Sequence, residues 1–166
     1  MAFEEFWKLI TLFGGFEIWV AIIFAILAIY AIVTKSKKHR IASLAFILIS
    51  SIIVSTAVAE LLKMSLKIPR PCVGSSDCPS DYSFPSGHAT RIFTLAAVMA
   101  LSIRDFRIKF AFLILAMLVS ISRVALNYHT YADIIAGALV GVLVTYLVNV
   151  LYKRVSSLKT FKTITS

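Results

Sequence analysis

The sequence predicts an all-α fold, a multi-pass bundle of membrane-spanning helices preceded by a short interfacial helix. Three observations predict this class. Of the 166 residues, 60% are hydrophobic. Only 15% are charged, whereas a soluble domain has about 25% charged residues. The apolar residues also form long unbroken blocks, which is typical of helices that cross a bilayer.

The N-terminal segment has the pattern of an amphipathic helix. Large apolar side chains recur at the spacing of one helical face, at Phe3, Phe6, Trp7, Ile10 and Phe13. Polar side chains lie elsewhere on the helix, at Glu4, Glu5, Lys8 and Thr11, so we expect this helix to lie in the membrane interface. The glycine pair at 14–15 is the predicted end of the helix.

Five apolar blocks follow, and each approaches the ~20 residues that a helix needs to cross a bilayer. The blocks are 16–33, 41–62, 89–103, 108–126 and 131–151. The third block is short, so we expect it to begin slightly upstream or to lie in a shielded position. The fifth contains Gly137 and Gly141, a pair of small residues that lets two helices approach closely.

We expect one integral membrane domain over residues 1–166. Its parts are the interfacial helix at 1–15, the membrane bundle at 16–151 with an outer loop at 63–87, and a basic tail at 152–166. The outer loop contains all four prolines of the chain. Loops of this length inside compact proteins are usually functional.

The formal net charge of +9 comes largely from the first connection, the third connection and the tail. The excess of Lys and Arg predicts that these segments are cytoplasmic, with the second and fourth connections outside. Contact with anionic membrane lipids fits this charge. Nucleic acid is not an expected partner, because no basic face is interleaved with stacking aromatic residues. The sequence leaves the oligomeric state open.

Three polar segments interrupt the apolar pattern, and all three fall on the predicted outer face. They read KMSLKIPRP at 63–71, PSGH at 85–88 and SRVALNYHTYAD at 122–133. Although they come from different helix ends, they can converge on one site.

His129 and Asp133 are four residues apart, so on a helix they share one face. A carboxylate can bind one ring N–H of the imidazole, which fixes the tautomer and leaves the other nitrogen as a nucleophile. The alternative is a purely structural His–Asp pair that closes a helix end.

His88 follows the Pro85-Ser86-Gly87 turn at the start of the third apolar block. A second histidine at this face could protonate a leaving oxygen. A helix that begins here would direct backbone N–H groups and its positive dipole end toward an anion. The alternative is an ordinary capped helix, because Ser-Gly is a common turn sequence.

Lys63, Arg70 and Arg123 would supply positive charge at the same face. Phosphoryl transfer depends mainly on positioning and on electrostatic stabilisation of phosphate oxygens. The alternative for Lys63 is a side chain that extends to the interface from a helix end, and Glu60 is a possible partner for it. Arg91 either contacts a phosphate or head group or anchors its helix at the interface.

The order and spacing of these residues over 63–133 resemble the three-part signature of the type 2 phosphatidic acid phosphatase superfamily. The resemblance implies that His129 attacks phosphorus and forms a phosphohistidine, and that Asp133 orients and activates it. It implies that His88 protonates the leaving group and then activates water. The phosphate would be held by Lys63, Arg70, Ser86, Gly87 and Arg123. The resemblance implies no metal and no cofactor.

The expected function is therefore that of a lipid-phosphate phosphohydrolase, with its site on the external face of the cell membrane. That face favours a polyprenyl diphosphate of the undecaprenyl or dolichyl type, with phosphatidic acid and phosphatidylglycerophosphate as alternatives. Larger members of the superfamily have six spans, whereas the sequence predicts five here. A small transporter or channel is the competing class, because charges within a membrane also mark permeation paths.

Cys72 and Cys78 are the two cysteines, and both lie in the outer loop. In an oxidising environment they could form a disulfide that braces the loop, although two cysteines alone do not establish a bond. A metal site is less favoured, because no histidine is close to them in the sequence.

Overall fold

The described part of the chain is all-helical, as predicted. A computed structural model describes residues 2–15, 18–19, 21–22, 25 and 35–164. Its helices are α1 (Ala2–Thr11), α2 (Lys35–Leu66), α3 (Gly87–Ser102), α4 (Phe106–Ala125) and α5 (Tyr131–Ile164), and a 3-10 turn, Leu12–Gly14, follows α1. No strand occurs among these residues. The first predicted span, 16–33, lies almost entirely outside the described residues.

Three of the helices are long and apolar enough to cross a membrane. The qualifying stretches are Ile41–Leu66 in α2, Phe106–Ala125 in α4 and Tyr131–Ser157 in α5. Each has large apolar side chains on its outward face, among them Phe46, Leu113 and Leu147. Such a surface is stable against lipid tails, which are as apolar as the side chains themselves. The total of five spans stays a prediction.

Helix α3 is the central helix of the bundle. It has 16 residues, fewer than the ~20 that a lipid-exposed span requires. It packs against α2, α4 and α5, and its Thr90, Ile92, Thr94 and Val98 are all almost completely buried. The prediction of a shielded third block is therefore confirmed, and α3 begins upstream of it, at Gly87.

Close packing of α3 on α5 depends on the predicted glycine pair. A Cβ atom at Gly137 would lie 2.6 Å from the carbonyl oxygen of Ser86, and one at Gly141 would lie 2.5 Å from that of Thr90. Real side chains do not reach such distances, so the helices could not approach this closely with larger residues. This contact places the start of α3 directly against the first turns of α5.

Two predicted boundaries were wrong, because both helices extend further than the apolar pattern. Residues 35–40, expected in a connecting loop, form the beginning of α2, and α5 continues through most of the predicted tail to Ile164. Neither segment contains Gly or Pro. Lys and Arg are good helix formers, so a helix can continue beyond the last apolar residue of its span.

A disulfide and a backbone hydrogen bond close the outer loop between α2 and α3. Cys72 and Cys78 form a disulfide with a Cα–Cα distance of 5.5 Å, which decides between the alternatives that the sequence left open. The N–H of Ser83 donates to the carbonyl of Ile68 at 2.8 Å. The peptide bond between Phe84 and Pro85 is cis. The loop thereby leads from the end of α2 to the start of α3 at the same end of the bundle.

Candidate active site

His129 lies in the short connection between α4 and α5. Asn127 ends α4 in the left-handed conformation, with φ of 56°, which Asn tolerates better than most residues. The chain then turns back, and the N–H groups of Tyr128 and His129 donate to the carbonyl of Arg123 at 3.0 and 3.2 Å. This turn fixes the histidine next to the end of α4.

Asp133 is held in place beside His129. Its Oδ2 atom lies 3.5 Å from His129 Nδ1 and accepts a hydrogen bond from the N–H of Thr130 at 2.7 Å. The Ser83 hydroxyl donates to the same oxygen. His129 and Asp133 are only 3% and 2% exposed. The two side chains are therefore adjacent as predicted, although not on one face of a helix, because His129 precedes the start of α5. A serine from the outer loop completes the pair.

The neighbours of His129 determine its tautomer. Nη1 of Arg70 lies 3.0 Å from His129 Nε2, and because a guanidinium only donates, Nε2 must be the acceptor. The ring proton is then on Nδ1, which faces the carboxylate of Asp133 and lies 3.4 Å from Ser83 Oγ. This assignment follows from the hydrogen-bond partners. It makes Nε2 the nitrogen that carries the lone pair, which accepts a hydrogen bond from Arg70 in this structure and would be released for attack if Arg70 bound a phosphate instead.

The imidazole of His129 is uncharged at neutral pH. Burial, followed by the positive charges of Arg70 and Arg123, lowers the pKa of His129 to about 3, although the Asp133 carboxylate opposes this shift. Only a neutral imidazole can act as a nucleophile.

Lys63 and Arg70 are buried, and both bind the carboxylate of Asp81. Lys63 Nζ is 2.7 Å from Asp81 Oδ2, and Arg70 Nη2 is 2.6 Å from Asp81 Oδ1. Lys63 also pairs with Glu60 at 3.2 Å, the partner that the sequence had offered as an alternative. Arg70 Nη1 donates in addition to the carbonyl of Tyr128 at 3.0 Å. One acidic side chain of the outer loop therefore joins two of the predicted phosphate ligands.

Arg123 lies at the end of α4, with its guanidinium 4.7 Å from the centre of the Tyr128 ring. Its Nη1 donates to Thr11 Oγ1 at 2.8 Å. Its Nε is buried and has no hydrogen-bond partner among the described residues. A buried donor of this kind is costly and often marks a functional group. The position fits the predicted role in anion binding.

Ser86 and Gly87 form the start of α3. Ser86 Oγ accepts from the N–H of Ala89 as the N-cap, and the N–H of Ser86 donates to the Asp133 carbonyl at 3.0 Å. A Cβ at Gly87 would lie 3.8 Å from Lys63 Nζ and 3.2 Å from Arg91 Nη1. The helix N-terminus therefore faces cations, while Ser86 is already engaged in holding α3 to α5.

His88 occupies the first turn of α3, and the turn that follows α1 packs on it. A Cβ at Gly14 would be 2.6 Å from His88 Cδ2, so glycine is needed for this approach. His88 is also close enough to interact electrostatically with Arg123, Arg91, His129 and Arg70. Every predicted site residue therefore lies at one end of the bundle.

Arg91 binds the N-terminal segment, which the sequence did not indicate. Its Nε and Nη2 atoms donate to the carbonyl of Gly14 at 3.0 and 2.9 Å. Together with the contact from Arg123 to Thr11, this places the end of α1 over the site. The location of α1 at the membrane interface stays a prediction, although Phe3, Phe6 and Phe13 are exposed.

Sequence reasoning also missed Asp81 and Ser83. The only available signals were their position in a proline-rich loop and, for Ser83, its proximity to the PSGH segment. Within the described residues, no three His, Cys, Asp or Glu side chains are grouped closely enough to hold a metal ion.

A family model decides the identity of these motifs. The model of the PAP2 superfamily matches residues 44–156, which include all three polar segments. The chain belongs to the PAP2 superfamily. The resemblance that the motifs carry is thereby confirmed.

Two curated PAP2 relatives match parts of the chain. Dolichyldiphosphatase 1 of Dictyostelium discoideum is 27% identical over 146 residues, which cover 81% of this chain and 63% of the relative. Undecaprenyl-diphosphatase of Sulfolobus acidocaldarius is 41% identical over 69 residues, or 42% of this chain and 33% of the relative. The chain thus spans less than two thirds of either relative.

Two solved structures share the fold. LpxE of Aquifex aeolicus has a TM-score of 0.70 and 23% identity, over 87% of this chain and 84% of that chain. A transmembrane PAP2-type phosphatidylglycerolphosphate phosphatase of Bacillus subtilis has a TM-score of 0.75 and 21% identity, over 91% and 77%. With its apolar helices, this PAP2 chain is a membrane protein.

The first prediction concerns the charge of His129. At about pH 5, an imidazole with an ordinary pKa near 6.5 would be almost fully protonated, whereas His129 should remain neutral with its proton on Nδ1. Arg70→Gln should raise the pKa of His129, because it removes a positive charge 3.0 Å from Nε2. Nitrogen-15 NMR of histidine-labelled protein measures both properties, and His129→Ala assigns the signal. Protonation of wild-type His129 near pH 6.5 would contradict this description.

Proposed function

We propose that this PAP2 protein is a metal-independent lipid-phosphate phosphohydrolase that forms a phosphohistidine on Nε2 of His129. The observation that carries the proposal is the environment of that nitrogen. Its lone pair faces Arg70 Nη1 at 3.0 Å, while Nδ1 faces the Asp133 carboxylate. A neutral, oriented nucleophile beside cations is what an attack on a phosphate ester requires.

In the first step, the Nε2 lone pair of His129 attacks phosphorus and the bond from phosphorus to the leaving oxygen breaks. His88 must be protonated to act as the acid, which burial and the neighbouring arginines oppose, so the negative charge of the bound phosphate has to offset them. His88 then donates a proton to the leaving oxygen, and the product leaves neutral at this position. The Nδ1–H of His129 stays in place, and the ring becomes positively charged. Asp133 stabilises that charge, and Ser83 and Thr130 keep its carboxylate in position.

In the second step, His88 acts as the base. It removes a proton from water, the oxygen attacks phosphorus, and the bond from phosphorus to Nε2 breaks. The electron pair of that bond returns to Nε2, which restores the neutral imidazole. Inorganic phosphate is released, and the protonated His88 is ready to act again as an acid.

Lys63, Arg70 and Arg123 stabilise the negative charge that spreads over the phosphate oxygens during both steps. The N-terminus of α3 adds the backbone N–H groups of Gly87 and His88, because the first N–H groups of a helix have no acceptor within the helix itself. Ser86 supports the site differently from the sequence-based expectation. Its hydroxyl caps α3 and its N–H binds Asp133, so its main contribution is to position the helix start.

We propose a polyprenyl diphosphate as the substrate. The names of the two curated relatives, a dolichyldiphosphatase and an undecaprenyl-diphosphatase, support this choice. A lipid-linked phosphate also suits a site at the end of apolar helices. Phosphatidic acid and phosphatidylglycerophosphate are the alternatives. The second of these stays relevant because the Bacillus subtilis protein of the same fold is a phosphatidylglycerolphosphate phosphatase.

We propose that the site lies on the external face of the cell membrane and that the C-terminus is cytoplasmic, following the distribution of Lys and Arg. A protease added to intact cells should then leave a tag at the C-terminus uncleaved and should remove it after the cells are permeabilised. Cleavage of the tag in intact cells would reverse the proposed orientation.

The catalytic proposal predicts phosphate release from lipid substrates in the presence of EDTA. His129→Ala should lower kcat/KM by roughly a thousandfold or more, because the nucleophile is lost. His39 lies outside the three motifs, so His39→Ala is the matched control and should retain activity. Purified protein in detergent would be assayed with a polyprenyl diphosphate, phosphatidic acid and phosphatidylglycerophosphate. Activity that is abolished by EDTA, or that survives in His129→Ala, would contradict the mechanism.

A further inference from the structure

The carboxylate of Asp81 binds two cationic side chains at once. Its Oδ2 accepts from Lys63 Nζ at 2.7 Å and its Oδ1 accepts from Arg70 Nη2 at 2.6 Å. Two oxygens bound by an ammonium and a guanidinium reproduce the way in which a phosphate would be bound. These are the same two cations that the proposed function assigns to the substrate phosphate.

The burial of the three side chains is unequal. The side chains of Lys63 and Arg70 are 7% and 5% exposed, whereas that of Asp81 is 48% exposed. Asp81 is therefore at the outer surface of the site, between solvent and the buried cations. A phosphate that arrives from outside must compete with this carboxylate for both donors.

We propose that the Asp81 carboxylate is an internal competitor of the substrate phosphate, which holds Lys63 and Arg70 between turnovers and exchanges with phosphate in each cycle. This inference rests on the proposed function, because it takes these two cations as phosphate ligands. It assigns to Asp81 a role in setting affinity for phosphate and in expelling the product. Asp81 takes no part in bond formation or cleavage.

The backbone around Asp81 allows the exchange to occur by rotation of the side chain alone. Arg70 Nε donates to the Asp81 carbonyl at 3.0 Å, and that contact does not involve the carboxylate. Two residues later, the N–H of Ser83 is bound to the Ile68 carbonyl. A cavity of about 340 Å³ lies beside Asp81 and is lined by Arg70 and Tyr82 among others. The carboxylate has room to turn outward while the loop stays anchored.

Asp81 is ionised at neutral pH, as a competitor of phosphate must be. Burial opposes its ionisation, but the hydrogen bonds from Lys63 and Arg70 outweigh burial and lower the pKa of Asp81. Its exchange for phosphate therefore replaces one anion by another. The buried cations remain compensated throughout the cycle, which limits the cost of leaving a charge unpaired.

A purely structural role for Asp81 makes the opposite prediction. If the carboxylate served only to hold Lys63 and Arg70 in the correct positions, its removal would leave the cations poorly placed and would weaken phosphate binding. If it competes, its removal strengthens phosphate binding. The sign of the change therefore separates the two roles.

The experiment measures the Kd of inorganic phosphate by calorimetry on detergent-purified protein. Asp81→Asn should lower Kd by about tenfold, a typical size for two coupled binding events. Asp81→Glu retains a carboxylate and should remain close to wild type. Asp77→Asn is the matched control, because Asp77 is an exposed acid of the same loop that binds Ser76 rather than the cations. An unchanged or raised Kd in Asp81→Asn would overturn the proposal.

A second measurement needs only the wild-type chain, in case the variants fold poorly. Addition of phosphate should increase labelling of Asp81 by a water-soluble carbodiimide, read by mass spectrometry, because the carboxylate turns toward solvent. Labelling that stays constant or falls would contradict the exchange. Phosphate release from lipid substrates is measured in a separate assay of the same variants. Its failure would refute the proposed reaction, whereas normal hydrolysis without a tighter Kd in Asp81→Asn would refute only the competition.

Discussion

The guanidinium of Arg70 joins two separate parts of the chain, the outer loop and the connection between α4 and α5. It donates to the carboxylate and to the carbonyl of Asp81 in the outer loop. It also donates to the Tyr128 carbonyl after α4 and to Nε2 of His129. Its charge helps to keep the imidazole neutral, and its geometry assigns the ring proton to Nδ1. The identity of the nucleophilic nitrogen and the placement of the outer loop both depend on this residue.

The bundle provides the rigid frame that this interaction needs. Helix α3 is enclosed by α2, α4 and α5, and Gly137 and Gly141 let α5 approach α3 to a distance that no larger residue permits. The charged residues of the site come from the ends of the helices that meet at this end of the bundle. Charged groups are expensive within a membrane, and their position at helix ends limits that cost.

The N-terminal segment adds a second layer over the site. The carbonyl of Gly14 binds Arg91, and the hydroxyl of Thr11 binds Arg123. Because Gly14 also packs against His88, movement of this segment would change the surroundings of the proposed general acid. This segment, with its exposed Phe3, Phe6 and Phe13, is thus connected directly to the charged residues.

The sequence predicted the helical class, the shielded third helix and the convergence of the three polar segments, because hydropathy and motif spacing are local properties. It also identified Gly137 and Gly141 as a packing pair. It could not predict Asp81 or Ser83 as partners of the site. Their contacts join residues far apart in the sequence and depend on how a loop folds, which no periodicity records. The basic residues at the start of α2 and at the end of α5 were assigned to connecting segments, because the helices continue beyond their apolar residues.

The proposed mechanism requires that Nε2 of His129 becomes phosphorylated. The most direct test is a rapid-quench experiment on the wild-type protein with a lipid substrate labelled at the terminal phosphate, with His129→Ala as the control that cannot form the intermediate. Peptide mapping should find an acid-labile, base-stable phosphate on Nε2 of His129. Label on Nδ1, on another residue, or on no residue while phosphate is being released would contradict the account.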